Sequence, residues 1–240
     1  MAIAAWKFDG SEMRWSSWAD MQTPLTLRLI SDARMDKERP AGTRAWAESN
    51  GNRFNMRASL VDDSSGPRTL AHELGHIQSY RALHRAHAKK EIPDYFFEGH
   101  GLMLNRLYAS HLGVDDPKGW TSQARLIQKL TADEVRMIFT DRSYLRGEKD
   151  PKKNGKIHAL GLYLVEYLHG RRHIKDIATR IGRVFEEVGH GHPYAAAFRD
   201  QIGVSLETVI AEIVSLFDRT SSAPAERLQG TRFEEWAGKS

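Results

Sequence analysis

The stretch RTLAHELGHIQSY, from Arg68 to Tyr80, places two histidines four positions apart with a glutamate directly after the first. Leu70, Leu74 and Ile77 recur at i, i+4 and i+7, a period that predicts a helix that Pro67 can start and that runs to about Lys89. A helix turns about 100° per residue, so His72 and His76 fall on one face one turn apart, with Glu73 projecting beside it. Both imidazoles can then reach a single ion. This is the arrangement a zinc hydrolase needs: the metal acts as a Lewis acid on a water, and a carboxylate next to the metal but not bound to it, here Glu73, takes the water's proton. The five-residue pattern also arises by chance, as a pair of structural histidines. Leu74 and Gly75, uncharged and compact inside an apolar-striped helix, favour the metal reading.

Two histidines leave such a site one ligand short, because catalytic zinc keeps three protein ligands and one open position. The best candidate is Glu98 in PDYFFEGHG, 22 positions after His76. That separation lets the first helix finish, the chain reverse at Ile92-Pro93-Asp94 and a second helix, read over 93–113, return antiparallel. A carboxylate behind Phe96 and Phe97 is costly to bury without a partner, and a zinc ion is such a partner. A helix-start glutamate favoured by the macrodipole is the competing explanation, and His100, Asp94 and His111 are weaker rivals as ligands.

Upstream of the motif the pattern is that of strands. PLTLRLISD (24–32) alternates, and TRAWAESNGNRFNMRASLVDD (43–63) reads as two strands joined at Ser49-Asn50-Gly51-Asn52, because Asn-Gly suits the positive φ of a tight turn. Trp6, Trp15, Trp18 and Trp46 are expected to pack in this lobe. Downstream, helices are expected at about 121–130, 132–139, 156–169, 173–188, 193–201 and 205–217, with Thr131 and Glu134 forming a capping box. The segment 218–240 is polar and Pro/Gly-punctuated, and reads as a flexible tail; docking on the body through its only obvious anchors, Phe233 and Trp236, and self-inhibition of the cleft are the alternatives. The divisions are thus 1–66, a β-rich lobe; 67–217, the motif helix and a helical lobe of the same domain; and 218–240, the tail.

Composition sets outer limits. The 240 residues are 40% hydrophobic and 28% charged, enough for one good core or two small lobes. No apolar run approaches the roughly 20 residues that cross a bilayer, and no leader pattern is visible, so the expectation is a cytoplasmic protein with no membrane partner; a secreted protein with its signal removed would read the same. The absence of cysteine excludes zinc sites that use sulfur. Lysine and arginine number 35 against 31 acids, a net +4, but the charges are interspersed and no nucleic-acid motif accompanies them, which argues against a nucleic-acid partner. Oligomeric state is not legible.

His72-Glu73-Leu74-Gly75-His76 followed by Phe96-Phe97-Glu98-Gly99 resembles the gluzincin clan of zinc metallopeptidases, specifically its compact peptidase MA-like domains. The resemblance covers about 40–217, with high specificity only at the two metal motifs. It implies an α+β, zincin-like fold: a small N-terminal mixed sheet whose edge strand pairs with an extended peptide, a zinc helix beneath it and a mainly helical C-terminal lobe. It also implies one Zn2+ ion on His72, His76 and Glu98. The Gly-Ala-Met-Glu-Asn stretch that anchors a free amino terminus in the aminopeptidase branch is absent, and the position of a thermolysin-like aspartate one turn after the ligand glutamate is Leu102, with Asn105 the nearest polar residue further along.

In related domains a tyrosine or histidine from a downstream helix stabilises the oxyanion; the resemblance puts His158 there, with Tyr163 as the rival. The expected function is that of a zinc-dependent metallopeptidase acting on a peptide or protein substrate, endo-acting, with Glu73 as base. The alternatives are a catalytically silent binding or regulatory module of the same fold and a zinc amidohydrolase acting on a non-peptide amide.

Overall fold

The computed structural model describes residues 26–39, 43–61, 63, 65–83, 91–111, 117–141 and 151–237. Trp6, Trp15 and Trp18 lie outside them, as does 84–89 of the expected motif helix. Among the described residues the chain is rich in helix, with one small mixed sheet. Strand β1 (Thr26–Ile30) runs parallel to β3 (Arg53–Arg57), and β2 (Ala45–Ala47) pairs antiparallel with β3, giving the order β1-β3-β2. The short helix α1 (Asp32–Glu38) follows β1. The expected hairpin is present, but as a wider loop than a two-residue turn: of its residues only Gly51 takes a positive φ, +68°. Asn50 accepts from the Asn52 N–H at 3.0 Å. The turn is then pinned to the motif helix, because Arg81 Nε donates to the Gly51 carbonyl at 2.6 Å.

The motif helix α2 (Gly66–Leu83) is buried over most of its length. Its apolar stripe Leu70, Ala71, Leu74 and Ile77 packs with Phe54 of β3 into a small core of its own. The opposite side meets α3 (Asp94–His111), and here the chain uses glycine. A Cβ on Gly75 would stand 3.0 Å from the Cα of Gly101, and one on Gly99 would stand 2.5 Å from the backbone of Gly161 in α6 (Pro151–Glu166). Helices α2, α3 and α6 therefore touch backbone to backbone, closer than side chains would permit.

The larger core fills the helical part: α4 (Pro117–Lys129), α5 (Ala132–Thr140), α6, α7 (Ile177–Gly189), α8 (Tyr194–Ile202) and α9 (Leu206–Arg219). The expected capping box is formed: the Glu134 N–H donates to Thr131 Oγ1 at 3.2 Å, and the Thr131 N–H to Glu134 Oε2 at 2.9 Å. The helix expected over 156–169 begins earlier and ends in a π-helical turn, Tyr167–Arg171. The one expected over 173–188 starts only at Ile177, because His173 and Asp176 both take φ +54°, which no right-handed helix accommodates.

The reading of 218–240 as a flexible tail is corrected over 218–237. A 3-10 turn (Pro224–Leu228) and helix α10 (Arg232–Ala237) pack on the body. Phe233 is fully buried, and Trp236 stacks on Trp120 of α4 with ring centroids 5.1 Å apart. A charged residue does as much as the aromatics. The buried Arg227 guanidinium donates to the carbonyls of Gln128 at 2.9 Å and Leu130 at 2.7 Å, where α4 ends, and to Phe217 at 3.2 Å near the end of α9. Its face lies 4.6 Å over the Phe217 ring. Carbonyls at helix C-termini carry partial negative charge and lack intrahelical partners, so one cation satisfies two helix ends.

Among the described residues no helix is long and apolar enough to cross a membrane. Arg227→Ala strands several buried carbonyls and should destabilise the protein by about 3 kcal/mol, since bonds to a charged donor are worth roughly 1.5–3 kcal/mol each and are not additive. A thermal melt followed by circular dichroism should then show the midpoint falling by roughly 6–12 °C; a change of only a degree or so would mean the segment docks without it.

Candidate metal centre

The close approach of α2 and α3 brings three expected ligands together. His72 Nε2 lies 3.0 Å from His76 Nε2. Glu98 Oε2 lies 3.5 Å from the first and 3.2 Å from the second. A tetrahedral zinc with ligands at about 2.0–2.1 Å has its ligand atoms roughly 3.3 Å apart, which is the spread of this triangle. Among the described residues these three form a group whose ligand atoms all lie within 4.8 Å of one another and could hold a metal ion.

Electrostatics favour the forms a metal requires. Burial, helped by the neighbouring His76, pushes the His72 imidazole down to about 4, so it is neutral and its lone pair is available. Burial pushes Glu98 up, but His76 and His158 outweigh it and hold the carboxyl well below its ordinary range. Local packing fixes the rings: His76 stacks on Phe97 with centroids 4.5 Å apart and planes 6° from parallel. A Cβ on Gly101 would stand 2.8 Å from His72 Nδ1 and 3.1 Å from His76 Cε1, so glycine at that position makes room for both rings.

Glu73 sits beside the triangle and outside it. It is buried, and the Ala47 backbone N–H of β2 donates to its carboxylate. The direction of that N–H follows from register. Bonds to β3 come from Arg44 and Glu48, with Trp46 opposite Asn55, so Ala45 and Ala47 point their backbone groups to the outer edge. Burial is the chief reason the Glu73 carboxyl is raised to about 7, with Glu98 adding to it and His76 and the Ala47 N–H opposing.

His158 also reaches the centre. From α6 its Nε2 lies 2.9 Å from Glu98 Oε2, while Nδ1 donates to the Asn154 carbonyl at 2.8 Å. Burial lowers its pKa, but the Glu98 charge and hydrogen bond prevail and raise it to about 9, so it stands as a donor. It does not join the group of mutually close ligand atoms, which places it at the rim of the triangle.

The rivals are elsewhere. Tyr163 is corrected as a donor candidate: its hydroxyl donates to the Arg227 carbonyl at 2.7 Å, deep in the core against the C-terminal segment. Five residues past His158, it points about 140° around the helix from it. His100 is fully buried with Nδ1 2.9 Å from Ser79 Oγ, and neither it nor Asp94 belongs to the ligand group. The His111 side chain lies outside the described residues. Sequence reasoning missed the Ala47 N–H and the glycines 75, 99, 101 and 161. The tight spacing of Gly99 and Gly101 around His100 was the available sign.

The comparisons add no relative. No family model matches the chain, and neither a curated protein nor a solved structure does.

Two outcomes test the geometry. Gly101→Ala forces a methyl against the His72 ring and should weaken binding of a divalent transition metal at least ~10-fold in a chelator competition, as loss of ligand positioning does. In the metal-free protein Glu73 is protonated more readily when folded than when unfolded. Its contribution is therefore complete below about pH 4.5 and is lost as pH rises through about 7. Glu73→Gln should accordingly leave metal-free stability unchanged at pH 4 and raise it by roughly 2–3 kcal/mol at pH 8, read by chemical denaturation.

Proposed function

We propose that this protein is a zinc-dependent metallopeptidase of zincin-like fold, endo-acting on an extended peptide or protein segment, with His72, His76 and Glu98 as ligands. The observation that carries the reading is the separation of the two carboxylates: Glu98 completes a triangle of ligand atoms with the histidines, while Glu73 is held beside that triangle by a strand N–H. Zinc held by the triangle supplies a Lewis acid that makes a water nucleophilic near neutral pH.

The chain's own residues do the rest. Glu73 accepts the proton that the water loses on attacking the peptide carbonyl, then delivers it to the departing amine, so the base is restored at the end of the cycle. Its raised pKa suits both roles, since a group poised near 7 can take and return a proton at neutral pH. His158, whose Nε2 proton lies on Glu98 in the metal-free chain, would turn that proton to the negative charge developing on the carbonyl oxygen once Glu98 is engaged by the metal. The outer edge of β2 offers the N–H and C=O of Ala45 beside Glu73, a short template on which an extended peptide can add as a strand. The absence of an amino-terminus anchor in the sequence supports internal cleavage.

The test is digestion of a broad peptide library by the zinc-loaded chain. Internal cleavage that stops on chelation is expected, and Glu73→Gln should bind the metal as tightly as wild type yet cleave at least ~100-fold more slowly, because an amide cannot accept the proton. A zinc-loaded wild type that leaves every peptide intact overturns the reading, as does a Glu73→Gln chain that cleaves at the wild-type rate.

A further inference from the structure

An imidazole that binds a cation through Nε2 carries its proton on Nδ1, and an acceptor for that proton fixes both the tautomer and the plane of the ring. The Nδ1 atoms of His72 and His76 are buried, and neither has a partner. Leu102, one turn past Glu98, has nothing to accept with.

One buried acceptor on α3 is in the same condition. The side-chain oxygen of Asn105 is shielded from water and has no hydrogen-bond partner. Asn105 stands four residues past Gly101 on the same stripe of α3, and about 20° around the helix from Glu98. Gly101 is the point at which α3 meets the far side of the His72 ring: a Cβ there would be 2.8 Å from Nδ1. Side chains on a helix lean toward its N-terminus, so the Asn105 amide leans back along the stripe toward Gly101, which has no side chain of its own to fill that space. A buried orphan donor and a buried orphan acceptor on adjoining helix faces each cost about 1–3 kcal/mol until they are paired.

We propose that Asn105 is a positioning residue of the metal centre: its Oδ1 accepts the Nδ1 proton of His72 and so presents Nε2 to the cation. This rests on the reading of His72, His76 and Glu98 as a metal centre and adds the element that orients the first ligand. Asparagine is a neutral acceptor, so it orients the ring without adding negative charge to a site that already holds Glu73 and Glu98.

The test is competition of the full-length chain with a chromogenic chelator for Zn2+, with a proton spectrum of the zinc-loaded protein. Asn105→Ala should weaken zinc binding ~10- to 100-fold, not lower the metal-free melting temperature, and remove an exchange-protected imidazole N–H resonance present in wild type. Asn105→Asp, a stronger acceptor of similar shape, should bind zinc at least as tightly as wild type and keep the resonance. An Asn105→Ala chain that binds zinc as wild type does overturns the assignment alone, and so does an Asn105→Asp chain that is as weak as Asn105→Ala. A wild type that takes up no Zn2+ overturns the metal centre together with it.

Discussion

The structure turns on three helix backbones approaching too closely for side chains. In the run Glu98-Gly99-His100-Gly101, successive residues face different neighbours because a helix rotates about 100° at each step. Glu98 faces the ligand triangle, Gly99 lies against Gly161 of α6, His100 turns to Ser79 of α2, and Gly101 makes room for the two histidine rings. Four consecutive residues thus weld α3 to both neighbours and deliver a carboxylate at the weld. The usual cost of glycine in a helix, about 1 kcal/mol each, is accepted where a methyl would drive the helices apart.

The same closeness sets the electrostatics. One carboxylate, Glu98, has three imidazoles within 3.5 Å of it in a half-buried space, so each group's protonation is decided by its neighbours. Glu98 stays ionised because His76 and His158 surround it, and His158 stays protonated because Glu98 is beside it. For Glu73 burial outweighs His76 and the Ala47 N–H and pushes it the other way, toward neutrality. Two carboxylates a few residues' width apart are thereby assigned different chemistry by environment alone.

Much of this was legible in the sequence, and what was not has physical reasons. The motif helix, the hairpin at Asn50-Gly51, the capping box at Thr131 and the pairing of His72, His76 and Glu98 depend on local period, turn chemistry or short loops, which a sequence carries on its face. The backbone contacts of Gly75, Gly99, Gly101 and Gly161 are made between helices, and a glycine in a helix reads as a weakness until its neighbour is known. The C-terminal segment was misread because its best anchor is Arg227, a residue type that is solvated almost everywhere; only the meeting of two helix ends gives it somewhere dry to go. Tyr163, the alternative to His158, lies about 140° around α6 from it, and its hydroxyl meets the Arg227 carbonyl in the core.

The docking of 218–237 has a consequence for how the protein comes into being. A ribosome makes α2 and α3 long before it makes Arg227, Phe233 and Trp236, yet those late residues bind the ends of α4 and α9 and, through the Arg227 carbonyl, the α6 helix that carries His158. All three members of the ligand triangle are therefore synthesised before the brace of the helix bearing His158 exists. A chain made in that order has the helix bearing His158 braced only by its last residues.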